Sequence, residues 1–458
     1  MYRPLNIALV SASDLDGEHL QSVHVRDLAR SLVRPLHGDA EPNHVTVYAR
    51  RQDKDAKSRV RLGPGASLLH LDAGPARPLT EDETLAYLRD FADELRRRWS
   101  GAGRPDIVHA HGWIGGLAAC AVARELDIPF AHSYHGVAAA ERRTGREVHP
   151  HRDRLEKAIG RDAAIVLAAH VEEANSIVRM GVPRPAVTVV PYAVDGEHFA
   201  QTGPALPHGD RARLVMVCDD LRSGDVPTAL RALVHVPDAE LAVAGGPDRE
   251  ELENDQDVHK LKLMAKELHV ADRVIFLGRV PRKSLPRLLR TARLALCLAP
   301  VQPSPSVPLE AMACGVPVVT TSAGGNADEV LDKITGLHVP AGRPVQIGRT
   351  IRHLLSEETT RHGYSIAAAD RARSRYSWER IAAETLRAYH KVLPVPEVPA
   401  PREDDAAEPR RRARRGGGAH ARPRPLTTAA PTRRTRHGPR TSGPGPAPCA
   451  RSSFAPVG

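Results

Sequence analysis

The chain has 458 residues, 41% of them apolar but only 3% aromatic, enough for two or three domains filled mainly by Leu, Val and Ala, and this excludes a fibrous or wholly unfolded polymer. Its formal charge of +10 is unevenly placed: residues 401–458 hold thirteen Arg against four acids, leaving a surplus of one for everything before them. A nearly neutral body excludes the simplest nucleic-acid-binding reading, because neutralising backbone phosphates takes a basic surplus.

In chain order, short β-rich apolar runs alternate with helical periodicity, the pattern of parallel sheets flanked by helices. The first series predicts strands at NIALVS, HVTVYAR, SLLHLD, DIVHAH, PFAHSY, AAIVLAA and VTVVPYAV, with helices over Leu20 to Leu32, Glu81 to Arg98 and Ile114 to Leu126. AQTGPALPHGDRA at 200–212 reads as a linker. The second series runs RLVMVC, AELAVAGG, RVIFLG, LALCLAP, PVVTTS and GLHVP. Continuous apolar runs place these strands between two covering layers. The expected fold class is therefore α/β, two Rossmann-like doubly wound lobes facing across a cleft at the carboxyl ends of their strands. The expected divisions are 1–199, linker 200–212, 213–375, a helix over 376–393 that crosses back to the first lobe, and a tail over 394–458.

That tail has ten Pro, seven Gly and the run RRRARRGGG within 401–458, too little apolar surface to offset ordering, so disorder is expected there. Its arginines offer electrostatic contact with anionic surfaces or nucleic acid, although no aromatics interleave to stack on bases. Five dispersed cysteines imply neither a disulfide framework nor a zinc site, and no apolar run nears the roughly 18 residues that span a bilayer. A cytoplasmic location is expected.

The stretch VPLEAMACGVPVVTTSAGGNADEVLDKITGLHVPAG, residues 307–342, resembles the family 4 retaining glycosyltransferases of GT-B fold. DIVHAHGWIGGLAA, SYHG, VTVVPYAVDGEHF, PDAELAVAGG, DRVIFLGRVP and YSWERIAAETLRAYHKVL follow the family order, so the resemblance covers about residues 5–393. It implies a nucleotide-sugar donor, an acceptor that the sequence leaves unidentified, no cofactor and no metal. Pro308 and Glu310 suit the first turn of a helix whose amino end attracts a diphosphate. The resemblance gives Glu310 the donor ribose and sets His135 beside the anomeric centre, with His111 on the same rim. Gln302, Ser304, Arg222 and Gly245 are the further donor-side candidates, and Arg142 and Arg143 are candidates for an anionic acceptor. Asp14 with Asp16, and Asp255 with Asp257, match a metal-holding Asp-x-Asp only superficially.

The sequence departs from the family around the diphosphate. Gln302 replaces the first Glu of Glu-x7-Glu, Asp219 and Gly224 fall where Arg and Lys usually clamp the phosphates, and His19 and Leu20 fall on the first-lobe Gly-Gly loop. Two readings follow: a glycosyltransferase with a rearranged donor site, or a weakened pseudo-glycosyltransferase that serves as a binding scaffold. Removal of residues 401–458 is expected to leave the thermal midpoint unchanged, as checked by circular dichroism, and loss of soluble protein would refute that.

Overall fold

The computed structural model describes residues 3–12, 15, 20–36, 40–143, 145, 147–218, 220–222, 224–299 and 306–394. Residues 394–458 were expected to be a disordered tail, and from 395 onward they lie outside that range.

Apolar runs that are covered on both faces build the two sheets. The first holds β1 Asn6–Ser11, β2 His44–Arg50, β3 Arg59–Gly63, β4 Ala66–Leu71, β5 Ile107–His111, β6 Phe130–Ser133, β7 Ile165–Ala168 and β8 Val187–Val189, in the order β3-β4-β2-β1-β5-β6-β7-β8. Every pair is parallel except β3 with β4. The second holds β9 Ala212–Val217, β10 Ala239–Ala244, β11 Val274–Gly278, β12 Leu294–Cys297, β13 Val318–Thr321 and β14 Gly336–Val339, all parallel, in the order β11-β10-β9-β12-β13-β14. Each order reverses once, between β1 and β5 and between β9 and β12. At such a point the loops part and leave a crevice at the carboxyl ends of the strands.

Two local features differ from the sequence expectation. β3, RVRLG, was not foreseen, because two arginines interrupt its apolar pattern; only Val60 and Leu62 reach the core, as suits an edge strand. The helix expected over Glu81 to Arg98 is two helices, Glu81–Ala86 and Leu88–Trp99. Thr80 and Glu83 form a reciprocal capping box at the start of the first. Tyr87 leaves helical geometry at φ −102°, ψ 11°, and its ring lies so close to Gly74 that a Cβ there would come within 2.5 Å. The second helix then turns Phe91, Leu95 and Trp99 inward.

The last described helix, Trp378–His390, starts at the Ser377 cap and packs on the helix Leu20–Leu32 of the first lobe. Ala382, Leu386 and Tyr389 share a core with Leu28 and Leu32. The fully buried Tyr389 hydroxyl meets His109 Nδ1 at 2.7 Å.

The second lobe closes just as tightly at its strand ends. Gly245 follows β10 at φ +145°, and a Cβ there would sit 1.8 Å from the Cys218 carbonyl oxygen, so no other residue fits this backbone. Gly245→Ala is expected to cost at least about 2 kcal/mol in chemical denaturation; a negligible change would show that the two loops separate freely.

Candidate active site

The second-lobe crevice lies where β9 and β12 diverge. Met216, Cys218, Gly224, Cys297, Pro308 and Asn326 are among its walls. Pro308 belongs to the helix Val307–Ala313, which has Pro in its first turn and every side chain buried. Glu310, on the same helix, is 2% exposed.

An unpaired carboxylate at that depth would be strongly disfavoured. Its partner is Arg282, from the turn that follows β11, whose Nη1 donates to Glu310 Oε1. Burial raises the Glu310 pKa, and the charge and hydrogen bond of Arg282 oppose that rise. The guanidinium stays partly exposed and lies 5.0 Å over the Phe199 ring; burial raises the Asp27 pKa in the first lobe, opposed chiefly by Arg30 and to a lesser degree by Arg282. Direct bonds also join the lobes near this point: Val171 N–H donates to Asp328 Oδ2 at 2.8 Å, and Gly324 N–H to Glu172 Oε2 at 3.0 Å.

The first-lobe crevice, where β1 and β5 part, is lined by imidazoles. His111 ends β5, and its Nδ1 lies 2.8 Å from His135 Nε2, with the rings stacked at 5.1 Å. The other His135 nitrogen meets the Tyr192 hydroxyl. His24, on the helix Leu20–Leu32, sets its ring edge-on to His135 at 5.6 Å and to Tyr192 at 4.7 Å, and lies 5.5 Å from Trp378 of the last helix. Below them, His109 bonds Tyr389 and, at 3.0 Å, Ser133 Oγ. Because Ser133 Oγ donates its proton to Leu167 O, His109 carries its own on Nε2 and accepts from Tyr389. Burial pushes all of these histidines toward the neutral form, with neighbouring imidazoles adding to the shift except at His135, which is lowered to about 4 by burial alone.

His135 has φ +58°, a strained value for a side chain with a Cβ. Three buried charges secure the chain just beyond it. Glu173 accepts from Gly136 N–H at 3.0 Å and from Ala169 N–H at 2.7 Å, both Glu156 oxygens accept from Ala138 N–H, and Arg152 pairs with Glu156 and donates to Gly136 O. The Arg152 charge is further balanced by Glu141 at 2.9 Å.

The structure brings His111 and His135 together in one lobe and sets Glu310 in the other, on the helix whose Pro308 lines the crevice. Other sequence candidates stand elsewhere. Arg222 is turned to the surface, 71% exposed, where Asp257 holds it at 2.6 Å. Arg142 and Arg143 are exposed too, and pair with Asp153 and Glu172. Gly245 packs against Cys218, and Gly224 lines the crevice with its missing Cβ directed at the Cys218 side chain. Gln302, Ser304 and Asp219 lie outside the described residues, as does His19. Among the described residues no group of three or more His, Cys, Asp or Glu is arranged for a metal ion, and no helix is long and apolar enough to cross a membrane.

Residues 21–193 match the family described as glycosyl transferase 4-like domain, and residues 214–371 the family described as glycosyl transferases group 1. The chain belongs to the family 4 glycosyltransferases of GT-B fold. This glycosyltransferase is 28% identical over 393 residues to the D-inositol 3-phosphate glycosyltransferase of Frankia alni, covering 81% of this chain and 94% of that one. With the protein of the same name from Mycobacterium bovis it shares 27% identity over 419 residues, covering 85% and 86%. In fold it is similar to sucrose-phosphate synthase from Thermosynechococcus elongatus, with TM-score 0.73 and 21% identity over 84% of this chain and 98% of that one. HepE of Anabaena, solved in complex with UDP, matches with TM-score 0.66 and 14% identity over 84% and 100%.

Sequence reasoning missed three parts of the glycosyltransferase's site. Arg282 sits in RVPRK with no motif to mark it, and only the packing of β11 beside Glu310 singles it out. Tyr192 lies in the quoted segment VTVVPYAV, but nothing in one dimension sets it against His135. His24 lies in QSVHVRDLARSL on a mixed helix face, between Leu20 and Leu28 but also beside Gln21, Asp27 and Ser31, so no sequence signal marked it.

The neutral histidines fix the sign of the pH dependence. At His135 the unfolded chain titrates near 6.5 and the folded one near 4, so between those values the unfolded state binds more protons. Unfolding free energy is therefore expected to be flat above pH 6.5 and to fall by about 1 kcal/mol per pH unit for each such histidine as pH drops toward 4. Urea titrations at stepped pH check this, and a profile flat down to pH 4.5 would contradict it.

Proposed function

We propose that the glycosyltransferase is a retaining enzyme that moves a sugar from a nucleoside diphosphate sugar to an acceptor hydroxyl. The observation that carries this reading is the buried Glu310, which pairs with Arg282 and lies on the helix whose Pro308 lines the crevice between β9 and β12. A carboxylate has about four acceptor sites. The pair with Arg282 therefore leaves capacity for the two hydroxyls of a ribose.

In such a reaction the bond from the anomeric carbon to the diphosphate breaks, and the acceptor oxygen bonds to the same face. Negative charge gathers on the leaving diphosphate and positive charge on the sugar ring. Arg282 then takes the part of the cations missing at 219 and 224, and its partial exposure lets it turn to the phosphates once ribose holds Glu310. Across the crevice, His135 and His111 present neutral imidazoles. Imidazolium there would oppose the positive charge on the ring, so the burial that keeps them unprotonated serves the chemistry.

For the acceptor, the names of the relatives point to an inositol phosphate as the first compound to test. Arg142 and Arg143 have the charge for it: each is spent on one exposed carboxylate, a pairing worth at most about 1 kcal/mol that a phosphate readily displaces.

Release of nucleoside diphosphate from a panel of UDP-, GDP- and ADP-sugars, with and without inositol 3-phosphate, tests the reading. Turnover of none of them would overturn it. With the active donor, Glu310→Ala is expected to lower kcat/KM at least about hundredfold, the cost of leaving a buried charge unpaired as well as losing ribose. Arg282→Gln is expected to weaken the nucleoside diphosphate itself, with Arg282→Lys partly restoring it; calorimetric titration reads both, and wild-type affinity in Arg282→Gln would remove Arg282 from the diphosphate.

A further inference from the structure

Asn326 occupies the wall of the second-lobe crevice, at the first turn of the short helix Asn326–Glu329 and beside Cys297 and Pro308. Its backbone is satisfied: the N–H donates to Ala323 O at 3.1 Å, and the carbonyl accepts from Val330 N–H at 3.0 Å. Its side chain is not. The residue is 2% exposed, and Oδ1 is buried with no hydrogen-bond partner. Buried carboxamides are nearly always paired, and one left over at the wall of a cavity signals a missing partner. The other described walls of the crevice are apolar side chains, thiols and glycine, so Asn326 is the one amide side chain among them.

The chemistry of the missing partner follows from what a carboxamide offers. Oδ1 only accepts and Nδ2 only donates, so whichever way round the group lies it presents one of each. A diphosphate has oxygens that accept and nothing that donates at neutral pH, and would leave Oδ1 as it is. A hydroxyl both donates and accepts. Ribose already has Glu310, so the remaining hydroxyls of the ligand are those of the transferred sugar.

We infer that Asn326 is a specificity-determining residue that binds a hydroxyl of the sugar carried by the donor. This rests on the proposed nucleotide-sugar reaction and adds to it the side chain that distinguishes the sugar-bearing donor from the bare nucleotide. Because Oδ1 accepts from no donor in the protein, its removal leaves no protein donor unpaired.

The test is calorimetric titration of wild type, Asn326→Leu and the smaller Asn326→Ala with UDP, GDP and ADP and with their glucose and N-acetylglucosamine conjugates, alongside thermal melts. Both variants are expected to bind the preferred nucleotide sugar about tenfold or more weakly than wild type, to bind the matching nucleoside diphosphate unchanged, and to melt no lower. Wild-type affinity for the nucleotide sugar in both variants would overturn the inference. So would an equal loss for the bare nucleotide, which would assign Asn326 to the nucleotide half. So would failure of both variants to fold, which would make the carboxamide structural. If wild type itself binds none of the compounds, it is the nucleotide-sugar reaction that falls, a result read before any variant is compared.

Discussion

A parallel sheet delivers every loop that follows a strand to the same edge, and a reversal of strand order opens a gap in those loops. Both sheets obey this constraint, one reversing between β1 and β5 and the other between β9 and β12. His111 and His135 meet at the ends of the first-lobe strands, and in the second lobe Asn326 lines the gap while Glu310 lies on the helix whose Pro308 also lines it. The chemistry of the site is thus a consequence of topology: side chains far apart in sequence meet because they follow strands whose register is fixed by hydrogen bonding.

The buried charges sort into two uses. Arg152, Glu156 and Glu173 spend their hydrogen bonds on backbone groups of 136–138 and 169, and so hold His135 in a left-handed conformation that its Cβ resists. Such strain persists only where surrounding bonds over-determine it. Glu310 and Arg282 differ in that their principal bond is to each other, and Arg282 keeps an exposed side. A side-chain ion pair with a partly exposed cation is open to exchange with a ligand, whereas charges bonded into the backbone are not. Asn326 Oδ1, in contrast, has no partner in the protein.

The proposed reaction needs a cation for the diphosphate that the family's usual positions do not supply. The Arg and Lys expected at 219 and 224 are absent from the sequence, and Arg222, the cation left nearby, is held at the surface by Asp257. Arg282 approaches Glu310 from the opposite wall, after β11 rather than β9. A cation supplied from another loop does the same electrostatic work, because Coulomb attraction depends on distance and dielectric and not on which strand precedes the residue.

What the sequence determined by itself was the architecture. Uninterrupted runs such as IALV, IVHA and VVTT require cover on both faces, and that requirement alone implies helices, parallel pairing and two sheets. The resemblance of residues 307–342 to the family signature singled out Glu310, with Pro308 and an acid opening the helix that follows β12. The edge strand β3 escaped because its register partner, not its own pattern, makes it a strand, and the break at Tyr87 escaped because it depends on the fit of a ring beside Gly74, thirteen positions earlier. Only the tertiary structure decided which polar groups are paired. Arg282 on Glu310, Tyr192 on His135, Tyr389 on His109 and the unpaired carboxamide of Asn326 are facts of distance between segments separated by up to 280 residues, and hydrogen bonds, which fade within a few tenths of an ångström, leave no periodic trace in the chain.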